Sequence, residues 1–108
     1  MAEIAISRED IDPRHGRYVA RVAGIGAEAE LTFTRRGPDR ISADHTGAPE
    51  ALRGTGAAGA LVDAMVADAR KTGFRIVPLC SYVAARYARH PEWADAFATA
   101  PGERADLG

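Results

Sequence analysis

The sequence predicts an α+β domain in which an antiparallel strand meander is followed by helix, strand and helix. Three observations carry this. Up to Thr46 the apolar residues alternate with polar ones in short runs, cut by Gly- and Pro-containing breaks. From Ala58 they recur at steps of three and four. A short β-branched run, Phe74 to Leu79, then separates two helical patterns. The breaks in the first half are too short for parallel pairing, which needs a crossover of a dozen or more residues, so hairpins are expected.

Each element follows from its own residues. Ile4 to Ser7 adds an edge strand. In Arg17 to Ala23, Tyr18, Ala20 and Val22 alternate with Arg17, Val19 and Arg21, and Gly24 and Gly26 supply the turn. Ala29, Leu31 and Phe33 alternate with Glu30, Thr32 and Thr34, the pattern of a half-buried strand. Arg36-Gly37-Pro38-Asp39 makes the next turn, and Ile41 to Thr46 the next strand. On that strand His45 shares parity with Ile41 and Ala43. From Ala58, Leu61, Val62, Met65, Val66 and Ala69 form one helix face. Arg70 and Lys71 suit the dipole of its last turn, and Gly73 suits its C′ position. Pro78 places a bend or a missing ladder bond near the end of the run that follows. Ser81 can cap a second helix to about His90, which Pro91 ends. Trp93 and Phe97, four apart, predict one last helical turn on the core. The reading is a single domain over residues 1–98 with a loose tail over 99–108.

Composition narrows the function classes. With 108 residues the chain makes one domain. The 14 Lys+Arg against 15 Asp+Glu argue against a nucleic-acid surface driven by global basicity. No apolar run approaches the roughly 20 residues of a membrane span, and the N-terminus lacks a secretory pattern. One Cys cannot form an internal disulfide, so a reducing, cytoplasmic setting is expected. A monomer satisfies all of this. His15, His45, His90 and Cys80 have no ligand-like spacing, so no metal is expected.

The main chemical signal is Arg53-Gly54-Thr55-Gly56-Ala57-Ala58-Gly59, between a strand and the long helix. Glycines there let the backbone approach a ligand and adopt positive φ. N–H groups of the first helical turn, at the positive end of the dipole, then make an anion site suited to a phosphate or pyrophosphate, with Arg53 as a charge beside it. A tight turn in an Ala/Gly-rich chain would look the same. Gly54, Gly56 and Gly59 also satisfy G-x-G-x-x-G, but the dinucleotide reading needs a parallel βαβ unit and an acid some 20 residues on. The second strand here ends Val77-Pro78-Leu79-Cys80 without one. No Gly-Lys-Ser/Thr closes a P-loop.

Arg53, Gly56 and Ala58 also spell R-x-x-G-x-A after a meander and at the start of a helix. This resembles the coenzyme A pyrophosphate loop of the GCN5-related N-acetyltransferases (GNAT superfamily). The flanks extend the resemblance over roughly Arg17 to Phe97: His45-Thr46, Ala48-Pro49-Glu50, Pro78-Leu79-Cys80-Ser81-Tyr82-Val83, Tyr87, and Arg89-His90-Pro91-Glu92. It is closest to the small single-domain members. Ala48 departs from the Val usual before the loop.

The resemblance implies a GNAT-like fold with a coenzyme A cleft between two central strands, those through His45 and Leu79. It implies an acetyl-CoA-dependent N-acetyltransferase, or a non-catalytic module that binds acyl-CoA. The expected coenzyme contacts are Thr46, Gly47 and Ala48 at the acetyl carbonyl, Arg53, Gly54, Thr55, Gly56, Ala57, Ala58 and Gly59 at the pyrophosphate, and Cys80 near the thiol. The expected catalytic residues are Tyr87 as proton donor to the leaving thiolate, His45 as proton relay from the amine, and Cys80 as nucleophile or coenzyme contact. Each has a structural alternative: Tyr87 as core packing, His45 as a satisfied histidine, Cys80 as a small buried hydrophobe. Arg86, Arg89 and His90 form a basic cluster read as a solvated helix face. No segment supplies the two helices that usually build the acceptor site. An exposed amine on a protein or a polyamine is therefore the expected acceptor.

Overall fold

The computed structural model describes residues 3–105, so residues 1–2 of the expected domain and 106–108 of the expected tail lie outside it. Five strands form one sheet in the order β1-β2-β3-β4-β5. The strands are β1 (Ile4–Asp10), β2 (His15–Val22), β3 (Glu28–Gly37), β4 (Arg40–Gly47) and β5 (Arg75–Pro78). Helix α1 (Ala57–Thr72) connects β4 to β5, and α2 (Ser81–Arg89) follows β5. The first four strands pair antiparallel, while β4 and β5 pair parallel, with α1 as the crossover that such a pair requires. Among the described residues no helix is long and apolar enough to cross a membrane.

Side-chain period decides which face each strand buries. Tyr18, Ala20 and Val22 of β2 and Ala29, Leu31 and Phe33 of β3 face α1. The α1 stripe of Leu61, Val62, Met65, Val66 and Ala69 is buried against them. Val83 and Tyr87 of α2, then Trp93, Ala96 and Phe97, join the same core. Both helices therefore cover one face. The other face carries Arg17, Glu28, Glu30, Thr32, Thr34, Ser42 and Asp44. No helix packs on it among the described residues. Arg17 there bonds Glu9 at 2.8 Å and Glu30 at 2.9 Å, which raises its pKa further.

Local chemistry sets the ends. Gly73 closes α1 at φ 90°, its N–H bonding Ala69 O. The N-cap of α2 is Cys80, and Ser81 is its first helical residue, so the cap expected of Ser81 is not made. The turn Pro91–Ala96 is 3₁₀ and leaves Phe97 extended at φ −115°, ψ 152°. Phe97 was expected to be helical. Instead it bridges Ile76 on the outer edge of β5, and Ala98 N–H bonds Ile76 O at 2.8 Å. Edge pairing satisfies backbone groups that a helix there would leave facing solvent.

Candidate functional site

Two strands part at one end of the sheet, and the sequence explains why. The β4–β5 register runs from Arg40↔Arg75 to Ala43↔Pro78. Pro78 has no N–H to donate. The next N–H, that of Leu79, turns back to Val77 O at 3.0 Å. Only Cys80 reaches across again, its N–H bonding Ala43 O at 2.8 Å. Beyond that bond the chain turns into α2, while β4 continues to Gly47 without a strand partner on that side among the described residues. The backbones part here, and the side chains of Thr46 and Cys80 meet across the opening, Oγ1 and Sγ 3.3 Å apart. Cys80 is 8% exposed.

A β-bulge in β4 corrects one expectation. Phe33 faces Ala43 and Thr32 faces His45, which leaves Asp44 as the extra residue. Alternation restarts after it. His45 therefore does not share a face with Ile41 and Ala43. It stands exposed on the helix-free face with Thr32, and Thr46 takes the core face opposite Leu31. Asp44 also lies on the helix-free face. Its carboxylate accepts a bond from Thr34 Oγ1 at 2.5 Å and one from Ser42 Oγ at 2.6 Å. Arg36 Nε donates to Ser42 Oγ at 3.0 Å. Asp44 carried no sequence signal, because a single-residue bulge leaves no mark on composition or spacing.

The glycine turn closes the same end of the sheet. Gly54 and Gly56 have φ of 78° and 84°, the left-handed region that glycine enters without strain. Gly56 is the N-cap of α1. Thr55 acts as the side-chain brace: its hydroxyl donates to Leu52 O at 2.6 Å and accepts from Ala57 N–H at 3.2 Å. Ala57 has its methyl in the core. The N–H groups of Ala58 and Gly59 have no protein acceptor among the described residues, which suits an anion at a helix N-terminus. Arg53 is 81% exposed and pairs with Glu50 at 3.2 Å. Gly59 also answers to packing, since a Cβ there would lie 3.0 Å from Arg86 Nη1 on α2.

Other expected residues sit as follows. Gly47 is half-buried and Ala48 exposed, and both line a groove of about 290 Å³ with Pro49, Arg17, Glu28 and Glu30. Tyr87 is buried, stacks on Phe97 with ring centroids 3.8 Å apart, and donates its hydroxyl to Thr99 O at 2.6 Å. Burial raises its pKa, and Glu103 and Asp95 add to the shift. Two residues of the basic cluster have protein partners: Arg86 pairs with Asp63 at 3.2 Å, and His90 with Glu92 at 2.9 Å. A cavity of about 530 Å³ is lined by Pro78 and Leu79 at the end of β5, by Ala84, Tyr87 and Ala88 of α2, and by Gly102–Ala105. No group of three or more potential metal ligands occurs among the described residues.

The structure thus brings Thr46, Cys80 and the 54–59 turn to one end of the sheet. His45 stands on the opposite face of β4, and the Tyr87 hydroxyl is held at Thr99. A model of the GCN5-related N-acetyl-transferase family matches residues 17–96. No curated protein matches the chain.

Proposed function

The chain belongs to the GCN5-related N-acetyltransferase family, and from that membership we propose that it moves an acetyl group from acetyl-CoA to an amine. One observation carries the reading: the parted ends of β4 and β5 lead to a turn whose Ala58 and Gly59 N–H groups have no protein acceptor among the described residues. The pyrophosphate binds that turn, with Arg53 beside it. The pantetheine arm enters the opening, and the thioester lies by Thr46, Gly47 and Ala48, whose backbone N–H groups polarise its carbonyl.

The acceptor attacks as a neutral amine. Its lone pair forms the N–C bond, and the tetrahedral intermediate collapses by breaking the C–S bond. His45, exposed on the acceptor side, takes the amine proton. The leaving thiolate takes a proton from Tyr87 once that hydroxyl turns from Thr99 O. Cys80 stands beside the thiol end as a coenzyme contact. The helix-free sheet face leaves the acceptor side open, which suits an exposed amine of a protein or a polyamine.

A second reading, acyl-CoA binding without turnover, draws support from the Tyr87 hydroxyl being engaged with Thr99. Incubating the protein with acetyl-CoA and a panel of lysine peptides and polyamines separates the two. Release of free coenzyme A matched by acetylated amine supports transfer. Tight coenzyme A binding with no product across the panel favours the binding module.

A further inference from the structure

We propose that the Asp44 carboxylate binds the acceptor in its ammonium form and positions it for transfer; this rests on the acetyl-transfer reading. Asp44 directly follows Ala43, whose carbonyl accepts the Cys80 N–H from the chain after β5. The bulge turns Asp44 and His45 in succession onto the helix-free face.

The strongest observation concerns buried hydroxyls. Thr34 and Ser42 are the buried polar side chains of the described residues. Both reach Asp44, one on each carboxylate oxygen, and Ser42 Oγ has Thr34 O as a longer alternative at 3.4 Å. Burying a hydroxyl is costly unless it is bonded, and here both bonds converge on one group. They fix the plane of the carboxylate and leave each oxygen a further lone pair. Arg36 approaches Asp44 only to 3.8 Å, with its Nε committed to Ser42. The side chain of Asp44 is 28% exposed, so a ligand on the open face can reach it. A fixed carboxylate with spare lone pairs and no donor of its own favours a charged N–H donor over an alcohol. It holds the ammonium beside His45, the proton relay.

The test uses ¹⁵N-labelled protein saturated with coenzyme A and titrated at pH 7 with n-butylammonium chloride, with 1-butanol as control. The expected result is saturable shifts at the Asp44 and His45 amides with butylammonium and none with butanol. Asp44→Asn should weaken that binding tenfold or more, with coenzyme A affinity within twofold. Thr34→Val, which keeps the carboxylate but frees one oxygen, should weaken it severalfold and guards against a misfolded Asn variant. Wild-type protein with no shift at residues 44 and 45, or variants that bind butylammonium as well as wild type, would overturn the proposal. Calorimetry without coenzyme A binding would instead sink the acetyl-transfer reading, and butylammonium titration of the free protein would still report on Asp44.

Discussion

Thr46 Oγ1 lies 3.3 Å from Cys80 Sγ across the mouth where β4 and β5 part. The contact exists because the Asp44 bulge turns Thr46 to the core face and because Cys80 is pinned to Ala43 through its backbone. Thiol–disulfide exchange proceeds by attack of a thiolate, to which the Thr46 hydroxyl can donate. Thr46→Val keeps the shape and removes the hydroxyl. Modification of Cys80 by oxidised coenzyme A, followed by mass spectrometry, should slow about tenfold in that variant, the scale of one hydrogen bond to a charged group. Excess acetyl-CoA should suppress the reaction in the wild type. A Cys80 inert in native wild-type protein would point to a packing role.

Gly56 has φ of 84°, and Ile4 Cδ1 would be 4.0 Å from an added Cβ, so the space is open and the backbone is the constraint. Gly56→Ala should cost about 1 kcal/mol of stability. The methyl would also stand where a pyrophosphate approaches the turn. Calorimetry should show coenzyme A affinity down at least tenfold in a protein whose melting curve remains cooperative. Unchanged affinity would remove the turn from the binding site.

Tyr87→Phe separates packing from chemistry. The ring stack on Phe97 is kept, and the bond to Thr99 O is lost. Stability should fall by about 1 kcal/mol, the net value of one hydrogen bond. If the hydroxyl supplies the thiolate's proton, kcat should fall by about 10²–10⁴-fold with coenzyme A affinity little changed. A variant that loses stability and keeps full turnover would leave Tyr87 as a clamp on Thr99.

Gly59 and Arg86 should be coupled. Alanine is favoured over glycine within a helix by about 1 kcal/mol. At Gly59 the new methyl would press on Arg86 Nη1 at 3.0 Å. Gly59→Ala should therefore stabilise the Arg86→Met protein more than the wild type. Equal increments in urea unfolding would show that the guanidinium yields freely.

Acid should unfasten the contact between α1 and the Pro91–Ala96 turn. Arg70 holds both oxygens of Asp95 at 2.9 Å and keeps its pKa below the usual carboxylate value. A depressed folded-state pKa gives stability that is complete above the unfolded value, near 3.9, and is lost as pH falls through the folded value. Asp95→Asn should flatten the loss of stability between pH 5 and pH 2. A variant whose denaturation midpoint falls with pH as steeply as wild type would count against the pair.

The elements were legible where period and punctuation agreed. The five apolar positions of α1 are all buried, and Arg70, Lys71 and Gly73 end it as the dipole and left-handed cap require. The parting of β4 and β5 was half legible. Pro78 announced a missing donor, but the turn of Leu79 N–H to Val77 O depends on where α2 begins. The face of His45 was misread because alternation was counted straight through Asp44. The residue that breaks it is set by pairing with β3, which one strand cannot display. Thr34 was placed only on the polar side of β3, and its bond to Asp44 depends on the same cross-strand pairing.

The bulge makes β4 a strand written in two reading frames. Its first half sends odd-numbered residues inward, and its second half sends even-numbered ones, so eight residues serve both walls of the sheet. Deleting Asp44 would restore a single frame. It would bring His45 directly after Ala43 while the later pairs with β3 are kept, Thr32 with His45 and Leu31 with Thr46, and the carboxylate would be gone. Loss of Asp44 is therefore a length change the ladder absorbs, whereas an insertion after His45 would set Thr46 and Gly47 out of step with Leu31 and Glu30.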